Sequence, residues 1–119
     1  MIPTMDAVAR DKKLLGQEAL ARIAHDEALR QEGVAGMHAG LADRLGMRKP
    51  PGVSARIDHE GWLHVDISVV ARHGTDLHHL GARIQEAVIA AIRRVSDQPI
   101  GRVNVNVTQR EQPPRQKSK

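Results

Sequence analysis

Seven histidines, three acidic residues close together in sequence (Asp58, Glu60 and Asp66) and one G-x-x-G tetrapeptide are where this 119-residue chain could do chemistry. A chelating pair on a helix needs ligands at i and i+4, one turn apart on one face. His78 and His79 are adjacent, so on a helix their side chains diverge by about 100°. His64 lies in an alternating apolar-polar stretch whose pairing sets it opposite Arg56, a poor neighbour for a cation. No metal ligands are assigned, and the histidines read as solvated surface side chains. Acid-base catalysis needs a poised group in a pocket with a partner, yet Asp58, Glu60 and Asp66 follow ordinary strand alternation. The chain has no glycine-rich phosphate loop and no nucleophile elbow, and with no cysteine it has no thiolate chemistry or disulfide framework. It is expected to be no enzyme, with no catalytic residue and no cofactor. Gly33-Val34-Ala35-Gly36 matches the G-x-x-G loop by which KH domains clamp a nucleic-acid backbone. Val34 and Ala35 offer no charge to a phosphate, and the competing reading is a packed turn after a helix.

The elements that would position these residues centre on positions 53–95. Val53, Ala55 and Ile57 alternate with Ser54, Arg56 and Asp58; Leu63, Val65, Ile67, Val69 and Ala71 alternate with His64, Asp66 and Ser68. Period-two alternation marks strands with one face on a core and one in water. Cross-strand partners share a face, so Ile57 opposes Leu63, Ala55 opposes Val65 and Val53 opposes Ile67. That register leaves the three-residue loop His59-Glu60-Gly61, where Gly61 can take the positive φ such loops need. Gly74-Thr75-Asp76 then opens an amphipathic helix, with Thr75 read as N-cap and Asp76 at the positive end of the dipole. Leu77, Leu80, Ile84, Ala87, Val88, Ala91 and Val95 form its buried stripe, and Asp97-Gln98-Pro99 ends it. A third strand follows over 100–108, with Val103, Val105 and Val107 inward and Arg102, Asn104, Asn106 and Thr108 outward. If it runs parallel to the second strand, its crossover should be right-handed.

Upstream, residues 17 to about 31 read as a helix with Leu20, Ile23, Ala24 and Ala28 on one face, Gly16 as N-cap and Gly33 as stop. Gly33 to Gly36 break the pattern, 41–45 read as a short helical turn ended by Gly46, and Lys49-Pro50-Pro51-Gly52 is a stiff lead-in to the first strand. The expected organisation is a flexible segment over 1–16, one domain over 17–109 and a disordered basic tail over 110–119. The fold class is α+β with two layers in the order α-β-β-α-β, both helices on one face of a small sheet.

Composition narrows the partners. The net charge of +4 is mostly tail, since residues 110–119 carry four basic residues against one acidic. The domain is therefore nearly neutral, and a basic pI does not imply a basic binding face. Trp62 is the only residue of the Phe, Tyr and Trp class, whereas single-stranded nucleic-acid platforms usually stack bases on several such rings. No apolar run approaches the ~20 residues of a spanning helix, and the N-terminus lacks the tripartite pattern of a secretory signal. A cytoplasmic chain without direct membrane insertion is expected, with nucleic acid disfavoured.

The run from Gly52 to Gln109 resembles the alkaline-shock and general-stress (glucose-starvation) protein family of bacteria. The resemblance rests on Gly52-Val53, Val65-Asp66-Ile67-Ser68-Val69-Val70, His73-Gly74, Gln85-Glu86-Ala87-Val88 and Val103-Asn104-Val105-Asn106-Val107, in that order. Upstream, Ala21-Arg22-Ile23-Ala24 and Gly33-Val34 are similar to the family's first helix and its exit, so the match covers about 17–109. Members often begin with a strand before that helix, a pattern that residues 11–15 do not follow. The resemblance implies a non-enzymatic cytoplasmic protein of envelope-stress homeostasis, held near the membrane by an integral-membrane partner. It carries over no catalytic residue.

The polar sheet face carries the candidate partner-binding residues Arg56, Trp62, His64, Asp66, Asn104 and Asn106. One reading is a solvated sheet face that needs no further account. The other is a surface for a protein partner or a second copy, anchored by Trp62, because Trp and Arg are enriched at interface hot spots. A self-associating scaffold or adaptor is expected; the alternative is a KH-like RNA-binding module using Gly33 to Gly36 and the basic tail.

Overall fold

A computed structural model of the chain describes residues 15–38 and 50–109. Its elements run α1 (Gln17–Leu29), β1 (Val34–Met37), β2 (Val53–Ile57), β3 (Leu63–Ala71), α2 (Leu77–Val95) and β4 (Ile100–Gln109). β3 is the middle of the sheet. One edge carries β2 along Leu63 to Ile67 and β1 along Val69 to Ala71, both antiparallel; β4 runs parallel along the whole of the other edge.

Because β3 has neighbours on both edges and helices above one face, its odd-numbered side chains are sealed. Leu63, Val65, Ile67, Val69 and Ala71 are buried, together with Val53 and Val103. From above, α2 contributes Leu80, Ile84, Val88 and Ile92, and α1 contributes Leu20, Ala21, Ala24 and Ala28. The alanines keep α1 close to the layer beneath it, so the larger residues of α2 and β3 supply most of the apolar burial. The opposite face of the sheet carries no helix among the described residues. This is the two-layer α+β arrangement read from the periodicity.

The hairpin follows the expected register. Ile57 pairs with Leu63, Ala55 with Val65 and Val53 with Ile67, and Gly61 has φ +92°. Three expectations are corrected. Val34 to Met37 form strand β1, not the turn that the Gly33 to Gly36 tetrapeptide suggests. Ala35 is a bulge in β1, so Val34 and Met37 both reach the core side while Gly36 opposes Val70. The N-cap of α2 is Asp76, whose carboxylate accepts from the His79 N–H at 3.1 Å; Thr75 lies one residue outside. Along α2, Ile92 is buried and Val95 is 41 % exposed. The helix closes with the Ser96 N–H on the Ile92 carbonyl, and Ser96 and Gln98 take the buried positions at that end. Val105 and Val107 face inward as expected, half-buried and packed against the core. Of the segment expected to be flexible, Leu15 packs on the core and Gly16 caps α1. The expected helical turn over 41–45, the tail over 110–119 and residues 1–14 lie outside the described residues.

Candidate functional site

The helix-free sheet face brings all six candidate residues together. Arg56 opposes His64 across the hairpin, Asp66 opposes Asn104 and Ser68 opposes Asn106 across the parallel ladder, and Trp62 precedes them at the hairpin end. The Asn104 amide donates to Asp66 Oδ1 at 2.9 Å. Trp62 is 46 % exposed.

The hairpin tip is locked by a residue left out of that set. One carboxylate oxygen of Asp58, Oδ1, accepts from the Glu60 and Trp62 N–H groups, each at 2.9 Å. The other, Oδ2, sits 2.8 Å from His64 Nε2. The His64 hydrogen bond and then the Trp62 N–H hold the Asp58 acid down to about 2 against desolvation, with a smaller contribution from the Glu60 N–H. An ionised acceptor of this kind cannot act as a general acid near neutral pH; it fixes the loop and aims the imidazole. Periodicity could not show this pair, because Asp58 reaches His64 diagonally, from the position opposite Trp62.

Two further residues set the position of Trp62. The parallel ladder skips Gly101, passing from Leu63 opposite Ile100 to His64 opposite Arg102. A Cβ on Gly101 would lie 3.2 Å from Trp62 Cβ and 3.3 Å from His64 Cε1, so a larger residue there would press on both side chains. Arg102 thereby joins Arg56 in flanking His64, an arrangement unfavourable to bound cations. Below the tip, the Gln98 amide donates to the Gly61 carbonyl at 2.6 Å and ties the hairpin to the α2–β4 connection.

The other sequence candidates do not converge on chemistry. His78 and His79 sit in the exposed first turn of α2. Among the described residues no three His, Cys, Asp or Glu side chains are placed to hold a metal ion. Gly33 to Gly36 are a turn residue and a paired strand, so the tetrapeptide is not the exposed loop that a backbone clamp requires. Among the described residues no helix is long and apolar enough to cross a membrane.

Comparison with known proteins bears on the family and the fold. The family model for the alkaline shock protein 23 family, described by a cell envelope-related function, matches residues 9–109. No curated protein matches the chain. Among solved structures, a MamM CTD is similar with TM-score 0.57 and 21 % identity, covering 78 % of this chain and 98 % of that one. A copper form of the MamM CTD gives TM-score 0.56 and 22 % identity over 79 % of this chain and 86 % of its own. A nickel form of a variant gives 0.56 and 21 %, over 79 % and 99 %. At these identities the likeness is one of fold.

Proposed function

We propose, from the fact that the chain belongs to the alkaline shock protein 23 family, that it is a non-enzymatic scaffold or adaptor of the envelope stress response. It works in the cytoplasm through protein contacts on its helix-free sheet face, close to the membrane by way of an integral-membrane partner, and it self-associates. One observation carries the reading: the chain's only Phe, Tyr or Trp side chain stands 46 % exposed at the hairpin end of that face, beside the α2–β4 connection, on a hairpin tip immobilised by Asp58 and Gln98. A large amphipathic side chain held rigid in water loses little conformational entropy when a partner covers it. Arg56, Arg102 and the Asp66–Asn104 pair supply a polar rim.

The test is a crosslinked pull-down of tagged protein from cells, with and without nuclease, repeated with Trp62→Ala. The expected result is an integral-membrane protein that survives nuclease, disappears with Trp62→Ala, and does so at an unchanged melting temperature. Capture of specific RNA without such a partner, or full retention of the partner by Trp62→Ala, overturns the reading.

A further inference from the structure

The outer edge of β4 is the longest stretch of strand without a neighbour among the described residues. Which backbone groups it presents follows from the ladders. The Asp58 N–H bonds the Trp62 carbonyl and the Ser68 N–H bonds the Gly52 carbonyl, so the even-numbered residues of β3 serve its antiparallel edge. The Leu63 N–H bonds the Pro99 carbonyl, so the odd-numbered residues serve β4. Val65 lies level with Val103, and in a parallel ladder it bonds the residues flanking that position, Arg102 and Asn104. The main-chain groups of Val103, Val105 and Val107 therefore point outward. In agreement, the Val103 carbonyl accepts from the Gln85 amide of α2 at 2.7 Å and not from β3.

Natural edge strands are usually protected by charge, proline or a bulge. Positions 103–108 read Val-Asn-Val-Asn-Val-Thr, with β-branched residues alternating with amides and no such guard. Beside the edge runs an open groove of about 620 Å³ between β4 and α2, lined by Leu77, Ala82, Val105 and Val107 together with the polar His78 and Gln85. This is the geometry of strand addition: a ladder whose outward groups have no strand partner among the described residues, beside a slot of mixed polarity for alternate side chains.

The identity of the added strand is contained in the edge itself. Val103-Asn104-Val105-Asn106-Val107 reads the same in both directions. We propose that β4 pairs antiparallel with β4 of a second copy about a two-fold axis at Val105, which joins the two sheets into one. Each Val105 then exchanges both main-chain hydrogen bonds with its counterpart, and Val103 lies opposite Val107 of the partner subunit, above the groove. Asn104 meets Asn106 of the partner subunit on the polar face, amide against amide. A two-fold interface must be self-complementary, and a palindromic strand meets that condition at every position. Gln85 uses one lone pair of the Val103 carbonyl and leaves the second available.

This inference rests on the self-association in the preceding reading and assigns it to a different surface. The test is sedimentation analysis of the full chain over a wide concentration range. Val105→Pro removes an outward N–H without touching the β3 ladder, and should raise the dimer dissociation constant by about a hundredfold. Val105→Lys and Val105→Glu should each be monomeric alone and form a heterodimer when mixed, which keeps the test decisive if the proline variant unfolds. A wild-type chain that stays monomeric at the highest concentration overturns the proposal, as does a Val105→Pro dimer of unchanged strength or a Lys/Glu mixture that stays apart. If Trp62→Ala dissolves the dimer and Val105→Pro does not, association belongs to the sheet face. If Val105→Pro alone dissolves it and Trp62→Ala keeps the membrane partner, the edge stands and the sheet-face reading falls.

Discussion

Ser68 donates its N–H to the Gly52 carbonyl at 2.8 Å and, on the same edge of β3, accepts from the His38 N–H at 3.0 Å. The antiparallel edge therefore changes hands at one residue, from β2 to β1. Gly52 makes the junction with φ +72°, where a Cβ would lie 2.8 Å from the Ser68 carbonyl oxygen. Gly52→Ala combines left-handed strain with a backbone clash and should cost on the order of 2–3 kcal/mol. Thermal unfolding should show a drop of about 10 °C or more.

Asp58 sets a limit on acid stability. Its carboxyl is held down to about 2 from 3.8, so the folded state favours the ionised form. That contribution is complete above the unfolded value and is lost as pH falls through the folded one. Between about pH 4 and pH 2 the melting temperature of the wild type should therefore fall more steeply than that of Asp58→Asn. Parallel curves for the two proteins over that window would show that the loop carboxylate does not act this way.

The far end of α2 separates two apolar residues that look alike in a helical pattern. Ile92 is fully buried and Val95 is 41 % exposed. Ile92→Ala should cost about 2–5 kcal/mol through lost burial and a residual cavity. Val95→Ala should change stability by less than about 1 kcal/mol. Denaturant melts of the two variants side by side give the comparison directly, and equal losses would contradict the packing.

Gln98→Ala tests the tie beneath the hairpin. It removes the donor to the Gly61 carbonyl from a side chain that is itself buried, at a cost of about 1–3 kcal/mol. Hydrogen exchange should quicken first at the amides of Glu60, Gly61 and Trp62, before the β3 core is affected.

Much of this was legible in the residues, and the exceptions have physical causes. The hairpin register followed from parity, because Ile57 and Leu63 must share a face and Gly61 was free to turn. The six polar-face residues followed from the same parity. Strand β1 was hidden because Val34-Ala35-Gly36-Met37 has little intrinsic strand character; it is extended because the last third of β3 would otherwise lack an antiparallel neighbour, a tertiary demand overriding local preference. Val95 continues the helical period but stands exposed at the last turn, where the chain leaves the helix through the buried Ser96 and Gln98. The Asp58–His64 contact depends on a diagonal reach, and the position of Arg102 depends on the bulge at Gly101. Neither leaves a periodic trace.

The solitary Trp62 has an optical consequence. With no other tryptophan and no tyrosine in the chain, all near-ultraviolet emission originates at the hairpin tip, some distance in sequence from the core of α2. A fluorescence melt thus reports the fraying of Asp58 to Trp62, and circular dichroism reports the helices, so the gap between the two transitions measures how independently the tip lets go. The same emission, shifted to the blue when a partner shields the indole from water, makes the unlabelled chain its own binding sensor.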